Sequence, residues 1–319
     1  MRSALRYAMT FGAAGFAFAV SAHSQAFCRT NICDPLAEAC ELVDGCITGG
    51  KPVEWASSKV SWDVQQDDSA RGLTSEALEL AMTQAFERWT NVECPGGGKP
   101  SIEVVNRGPV ACSKPEYSQT EPNANIVTFH DAAWPYTDKA IESLALTTLF
   151  FQTGSGEIYD ANVEINTHDN EFALSDVAAP RIDLNAVLTH QVGHFFGLSH
   201  SADSTATMAA NYDVGMTTLE ADDIAAICAV FPPDRIASSD SDLPRHGFSG
   251  ECASDGSGAA GAGSATSPDR SGCSIPLAAP SLSHTGPVLT LLASLLFLDR
   301  RRKLHRRRLG RTPTPSASQ

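Results

Sequence analysis

The sequence predicts an α+β domain over residues 51–233. Three observations carry this. Short alternating or β-branched stretches recur through the middle of the chain. Helical spacing of apolar residues appears near residue 80 and twice more at the end of that span. After Asp234 the composition shifts to Ser, Gly, Ala and Asp, a mixture that cannot build a core.

In chain order, residues 1–26 have the form of a signal peptide. Arg2 and Arg6 precede an apolar stretch from Tyr7 to about Ala22, and Ser24-Gln25-Ala26 offers a small-residue cleavage site. Residues 27–50 carry four cysteines, Cys28, Cys33, Cys40 and Cys46, and read as a small disulfide-tied segment. Val60–Gln65 (VSWDVQ) alternates apolar and polar, as a half-buried strand does. Thr74 is a cap for a helix to about Thr90, with Leu78, Met82, Phe86 and Trp89 on one face. SIEVVN and NIVTF are short β-branched strands. LALTTLFF, QTGSGE and IYDANVEIN form a hairpin about a glycine-bearing turn. Asp183 begins a second helix, and LEADDIAAICAVF, Leu219 to Phe231, forms a third that Pro232-Pro233 stops.

The second helix carries the chemistry. HQVGHFFGLSH, His190 to His200, places histidines at i, i+4 and i+10 with a glycine at i+7. One turn apart on a helix, His190 and His194 face the same way. Gly197 lets the backbone leave the helix with positive φ, so that His200 joins them from outside. Three protein ligands with an open fourth position describe a catalytic zinc site. The pattern would arise by chance in roughly one chain in several thousand of this length.

HQVGHFFGLSHS followed by ATMAANY (Ala206 to Tyr212) resembles the zinc site of the metzincins, and most closely the matrixin branch. The resemblance extends over roughly residues 51–233. It implies an α+β catalytic domain: a twisted, mostly parallel sheet with one antiparallel edge strand, a zinc-site helix and a C-terminal helix. It implies zinc ligands His190, His194 and His200, Met208 as the floor beneath the metal, Gly197 at the turn, and Tyr212 at the wall of the specificity pocket. It also implies that Ser143–Thr147 pairs with the backbone of a protein or peptide substrate. NICDP does not match the cysteine latch of matrixin propeptides. Leu146 and Tyr159 stand where many matrixins bind a second, structural zinc, so none is expected.

Gln191 departs from the family pattern, which has glutamate as the general base. That glutamate takes a proton from the attacking water and returns it to the leaving amine. A carboxamide keeps the shape but cannot accept and return a proton at neutral pH. Such assistance is worth typically ~10²–10⁴ in rate. Two readings therefore stand: a zinc metalloendopeptidase slowed by Gln191, and a silent zinc-binding relative acting as a peptide- or partner-binding surface protein. A structural zinc module is a third.

Asp160, Asn162, Glu164 and Asn166 fall on one face of a strand. Asp160 and Glu164 are candidate calcium ligands, and a solvated strand face is the plainer account. His130, His168 and His246 read as surface histidines. Cys94 and Cys112 flank a strand and are candidates for a pair; nine cysteines in all fit an oxidising compartment.

The chain has 23 Lys+Arg against 37 Asp+Glu. Ten of the basic residues lie in the first 26 and last 20 positions, which leaves 13 against 37 between them, a net of −24. That surface disfavours nucleic acid. The chain is expected to be exported and monomeric. Residues 234–271 read as a flexible linker. Residues 272–319 hold Gly272-Cys273-Ser274, an apolar stretch from Pro287 to Leu298 and the basic run Asp299–Arg308. This tail resembles the C-terminal sorting signals of myxobacterial surface proteins, which implies recognition by envelope sorting machinery and processing near Cys273.

Overall fold

The structure is a computed structural model that describes residues 26–32, 40–43, 46–136, 143–252 and 272–278. The chain opens with short strands: β1 (Cys28–Arg29), β2 (Asn31–Ile32), β3 (Glu41–Val43), β4 (Cys46–Thr48) and β5 (Lys51–Pro52). The domain's main elements follow. They are β6 (Lys59–Gln65), α1 (Ser75–Thr90), β7 (Glu103–Val110), β8 (Ile126–Phe129), β9 (Ser143–Phe151) and β10 (Ile158–Ile165). After β11 (Phe172–Ala173) and β12 (Ile182–Asp183) come α2 (Leu184–Phe195), β13 (Leu198–Ser199), α3 (Ala221–Val230) and β14 (Gly272–Ala278).

One six-stranded sheet has the order β14-β9-β10-β8-β6-β7. The pairs β10–β8, β8–β6 and β6–β7 are parallel. The β9–β10 pair is antiparallel and opposes Thr147 to Val163. The expected parallel sheet with an antiparallel β9 is therefore present. One strand differs: β9 is not outermost, because β14 pairs with it antiparallel.

Alternation along the strands separates the two faces. Val60, Trp62 and Val64 of β6, Val127 of β8, and Ala161, Val163 and Ile165 of β10 are buried in one core with α1 and α2. The α1 side supplies Leu78, Met82, Phe86 and Trp89, as its spacing predicts, and Thr74 caps it by accepting from Ala77 N–H. Phe86 meets Phe195 edge-on at 5.0 Å and Trp62 at 5.4 Å. The Trp89 indole donates to Thr189 O at 2.8 Å. Buried on nearly every side, α2 is the central helix of the domain.

The opposite face corrects the solvated-strand expectation. Asp160, Asn162, Glu164 and Asn166 are all buried, as are Ser61, Asp63, Gln65 and Thr128 beside them. Residues beyond 110 and beyond 238 cover this face. Val110, Cys112, Ala124, Ile126 and Cys252 form a small apolar cluster there. Arg107 pairs with Asp242 at 2.6 Å, and Asn123 bridges to Phe248. The first part of the expected linker, residues 234–252, is thus packed onto the domain. Residues 253–271 and 279–319, the basic tail included, lie outside the described residues, as do residues 1–25 of the expected leader (1–26).

The cysteine pairing differs too. Cys94 bonds Cys228 and Cys112 bonds Cys252, not each other. Cys28 bonds Cys46 within the N-terminal segment, where Cys40 is also disulfide-bonded. That segment is docked, not separate: β1 pairs with β13, and Ala26 and Phe27 N–H donate to Asp222 of α3. No helix among the described residues is long and apolar enough to cross a membrane.

Candidate metal centre

The three predicted histidines converge. His190, His194 and His200 each offer a ring nitrogen, and these atoms all lie within 4.8 Å of one another. The ring centroids are 4.6, 5.2 and 5.0 Å apart. Asp183 caps α2 by accepting from Asn185 N–H, so the helix is fixed at the end before the histidines. Gly197 breaks it at φ +88°, where a Cβ would stand 2.6 Å from Val53 O. Thr30 N–H donates to Gly197 O, which pins the turn that brings His200 back.

Hydrogen bonding sets the tautomers. His190 Nδ1–H donates to Thr207 O at 2.7 Å, and His194 Nδ1–H donates to Leu198 O at 2.9 Å. A carbonyl only accepts, so the Nε2 lone pair of each ring is left bare, and both atoms are buried with no partner. Burial, then His200, pushes the His190 imidazole down to about 3, against the opposing bond to Thr207. Burial, His190 and His200 hold His194 well below its ordinary value. Neutral rings with orphaned, convergent Nε2 atoms are the donor set that zinc takes, and these residues fit that ion.

Met208 lies beneath α2. A Cβ on Gly193 would come within 2.2 Å of Met208 Sδ, so the helix backbone rests directly on this side chain. The turn that carries Met208 is held by Asp223 of α3, whose carboxylate accepts from Thr207 N, Met208 N and Glu220 N. Sequence reasoning missed Asp223. Its signal was readable: it shares the buried helical face of Ala226, Ile227 and Val230, where an acid needs partners.

Tyr212 packs against Leu144, Ala145 and Val187. Its hydroxyl accepts from Asp183 N–H, tying the expected pocket wall to the start of α2. Gln191 is fully buried. The Thr147 hydroxyl of β9 donates to Gln191 Oε1 at 2.6 Å, while Gln191 Nε2 has no partner. The bond of Thr147 to Gln191 was a second omission, since only the fold brings β9 to this helix.

Asp160 and Glu164 do not come together as a cation site. Asp160 accepts from Asn162, while Glu164 faces His130 at 2.6 Å and accepts from the Tyr136 hydroxyl. Groups able to hold a metal among the described residues do not include them. His130 is accordingly a half-buried partner of Glu164, not a surface histidine. His168 is exposed and pairs with Asp169.

Residues 124–232, from β8 to the end of α3, match the profile of the Matrixin family. Metalloendoproteinase 1-MMP of Arabidopsis thaliana is 25% identical over 187 residues, 58% of this chain and 46% of that protein. The chain thus spans about half the length of the curated relative it matches. The matched stretch has the α+β architecture of a matrixin catalytic domain.

Proposed function

We propose that this chain is an exported metalloendopeptidase of matrixin type that holds one zinc ion at His190, His194 and His200 and hydrolyses protein or peptide substrates slowly because Gln191 stands at the general-base position. The convergence of two orphaned Nε2 atoms and His200 on one point supports this most. Zinc bound there would polarise a scissile carbonyl and make water acidic enough to attack near neutral pH.

The residues around it have separable roles. The backbones of Thr207 and Leu198 hold the imidazoles in one tautomer. Met208 and Asp223 keep the floor rigid, and Leu144, Ala145, Val187 and Tyr212 offer an apolar wall to a substrate side chain. Gln191 can steady water or a carbonyl through Nε2–H but cannot carry a proton away. The disulfides, Cys28–Cys46, Cys94–Cys228 and Cys112–Cys252 among them, fit an oxidising compartment outside the cytoplasm. Sorting to the cell envelope through residues 272–319 belongs to the same proposal.

A second reading, a peptide-binding relative without turnover, is favoured by the Thr147 bond. It engages the amide oxygen and presents a donor where a base would be needed. One experiment separates the two. Metal content is measured on the purified chain, and casein cleavage is compared between the parent and Gln191→Glu. One zinc per chain and a gain of ~10² or more on restoring the carboxylate are expected. Zinc without any gain favours the silent reading. A metal-free chain, or metal content unchanged in His190→Ala/His194→Ala, overturns both.

A further inference from the structure

We infer that the substrate-binding edge of β9 is occupied in cis by the chain's own C-terminal strand, so that the groove is closed until the tail is drawn away. The inference rests on the proposed reading of β9 as a peptide-binding edge. It adds the occupant and a means of control.

β9 has two edges. One pairs with β10 and the other with β14. The β14 register opposes Gly272 to Phe150, Cys273 to Leu149, Ser274 to Thr148, Ile275 to Thr147 and Pro276 to Leu146. It therefore covers the same stretch, Ser143–Thr147, that a substrate backbone would use. Ile275 is opposite Thr147, the residue that holds Gln191. β14 also runs close to α2, the helix of the two first histidines. Main-chain hydrogen bonds supply the affinity in strand addition, so any extended segment in this place excludes another. Pro276 lacks an N–H and suits a strand whose outer side is unpaired, and the register is irregular between Pro276 and Ala278.

The tether makes the occupant effective. Cys252 is fixed to the domain through Cys112, and nineteen residues separate it from Gly272. That length spans up to ~65 Å, ample to reach β9. A segment on such a tether competes at an effective concentration of order millimolar. A free peptide of modest affinity is therefore shut out of the intact chain. Cleavage between Cys252 and Gly272, or capture of the tail by another protein, removes that advantage and opens the edge.

The test uses the full chain in three forms: the parent, Ser274→Pro/Ile275→Pro, and a chain with a site-specific protease sequence placed within residues 253–271 and cut after folding. Hydrogen exchange is followed at the amides of Ser143–Phe151. Binding of a labelled peptide with the sequence of residues 271–281, Cys273 replaced by serine, is followed by anisotropy. The alternate β9 amides directed away from β10 are expected to exchange at least tenfold faster in the proline variant and the cut chain. Peptide affinity is expected to rise at least tenfold in both. Equal exchange and equal peptide binding in all three forms would overturn the inference. Neither readout needs metal or turnover. Protection at β9 in a chain that holds no zinc supports the cis strand while removing the enzymatic reading.

Discussion

At the residue scale, the least expected group is Asp63. Its carboxyl is fully buried on the outer face of β6, and neither oxygen has a hydrogen-bond partner. Burial, opposed by the Arg107 charge, raises its pKa from 3.8 to about 7. Between about pH 4 and 7 the folded chain therefore keeps a proton that the unfolded chain has lost. Stability from this group is full below pH 4, falls as pH rises through that window, and levels off above 7. Asp63→Asn keeps the shape without the charge. It is expected to raise Tm at pH 8 and to flatten the decline between pH 4 and 7, followed by circular dichroism at pH 4, 6 and 8. An equal loss of Tm at every pH would show that the carboxyl serves as a hydrogen-bonding group instead. Residues like this were not legible in the sequence. His190, Gln191, His194 and His200 were, because their relation is local: helix spacing alone puts them together. Asp63 stands against another strand and Thr147 acts on a partner 44 positions away, and no local spacing reports that. For Asp223 the spacing on α3 marked a buried acid, but not its partners 15 and 16 positions away.

At the element scale, α2 carries the site, and its tolerance is set by Gly193. A Cβ there would meet Met208 Sδ at 2.2 Å and Trp89 Cζ2 at 2.9 Å. Trp89 is fully buried and bonded to Thr189 O, so it has nowhere to go. Gly193→Ala would ordinarily favour a helix. Here it should destabilise by ~1–3 kcal/mol through overpacking, and it should weaken zinc retention because the helix lifts off its methionine floor. Chelator competition and urea unfolding measure the two effects. Gly154→Ala, with nothing within 4 Å of the added carbon, is the control and should be near neutral in both. The elements themselves were largely readable. The Thr74 and Asp183 caps, the glycine turn between β9 and β10, and Pro232 after α3 are all local signals. The environment of β10 was not. Its polar face has the period of a half-exposed strand, and only the packing of residues 112–125 and 238–252 across it turns that face into a buried one.

At the scale of the whole molecule, the disulfides join parts of the chain that are far apart in sequence, and Cys94–Cys228 does so within the main core. Cys94 follows α1 and Cys228 lies in α3, 134 positions on. That bond holds the helix whose Asp223 carries the methionine turn, so fold and metal floor share one crosslink. Cys28–Cys46 closes a loop of only 18 positions at the surface-docked N-terminal segment. The number of cysteines, nine, pointed to export, but pairing over such separations could not be derived from composition, and the adjacent pair suggested by Cys94 and Cys112 was wrong. Chain entropy makes the long crosslink worth about 5 kcal/mol against about 3 for the short one. Cys94→Ala/Cys228→Ala should therefore lose more stability in urea than Cys28→Ala/Cys46→Ala. It should also release zinc to a chelator faster, because the α3 contact to the Met208 turn is loosened. If the two pairs proved equal in stability and in metal release, α3 would have to be held by its apolar face, through Ala226, Ile227 and Val230, together with the hydrogen bonds of Asp222 and Asp223, and the crosslink would be incidental to the site.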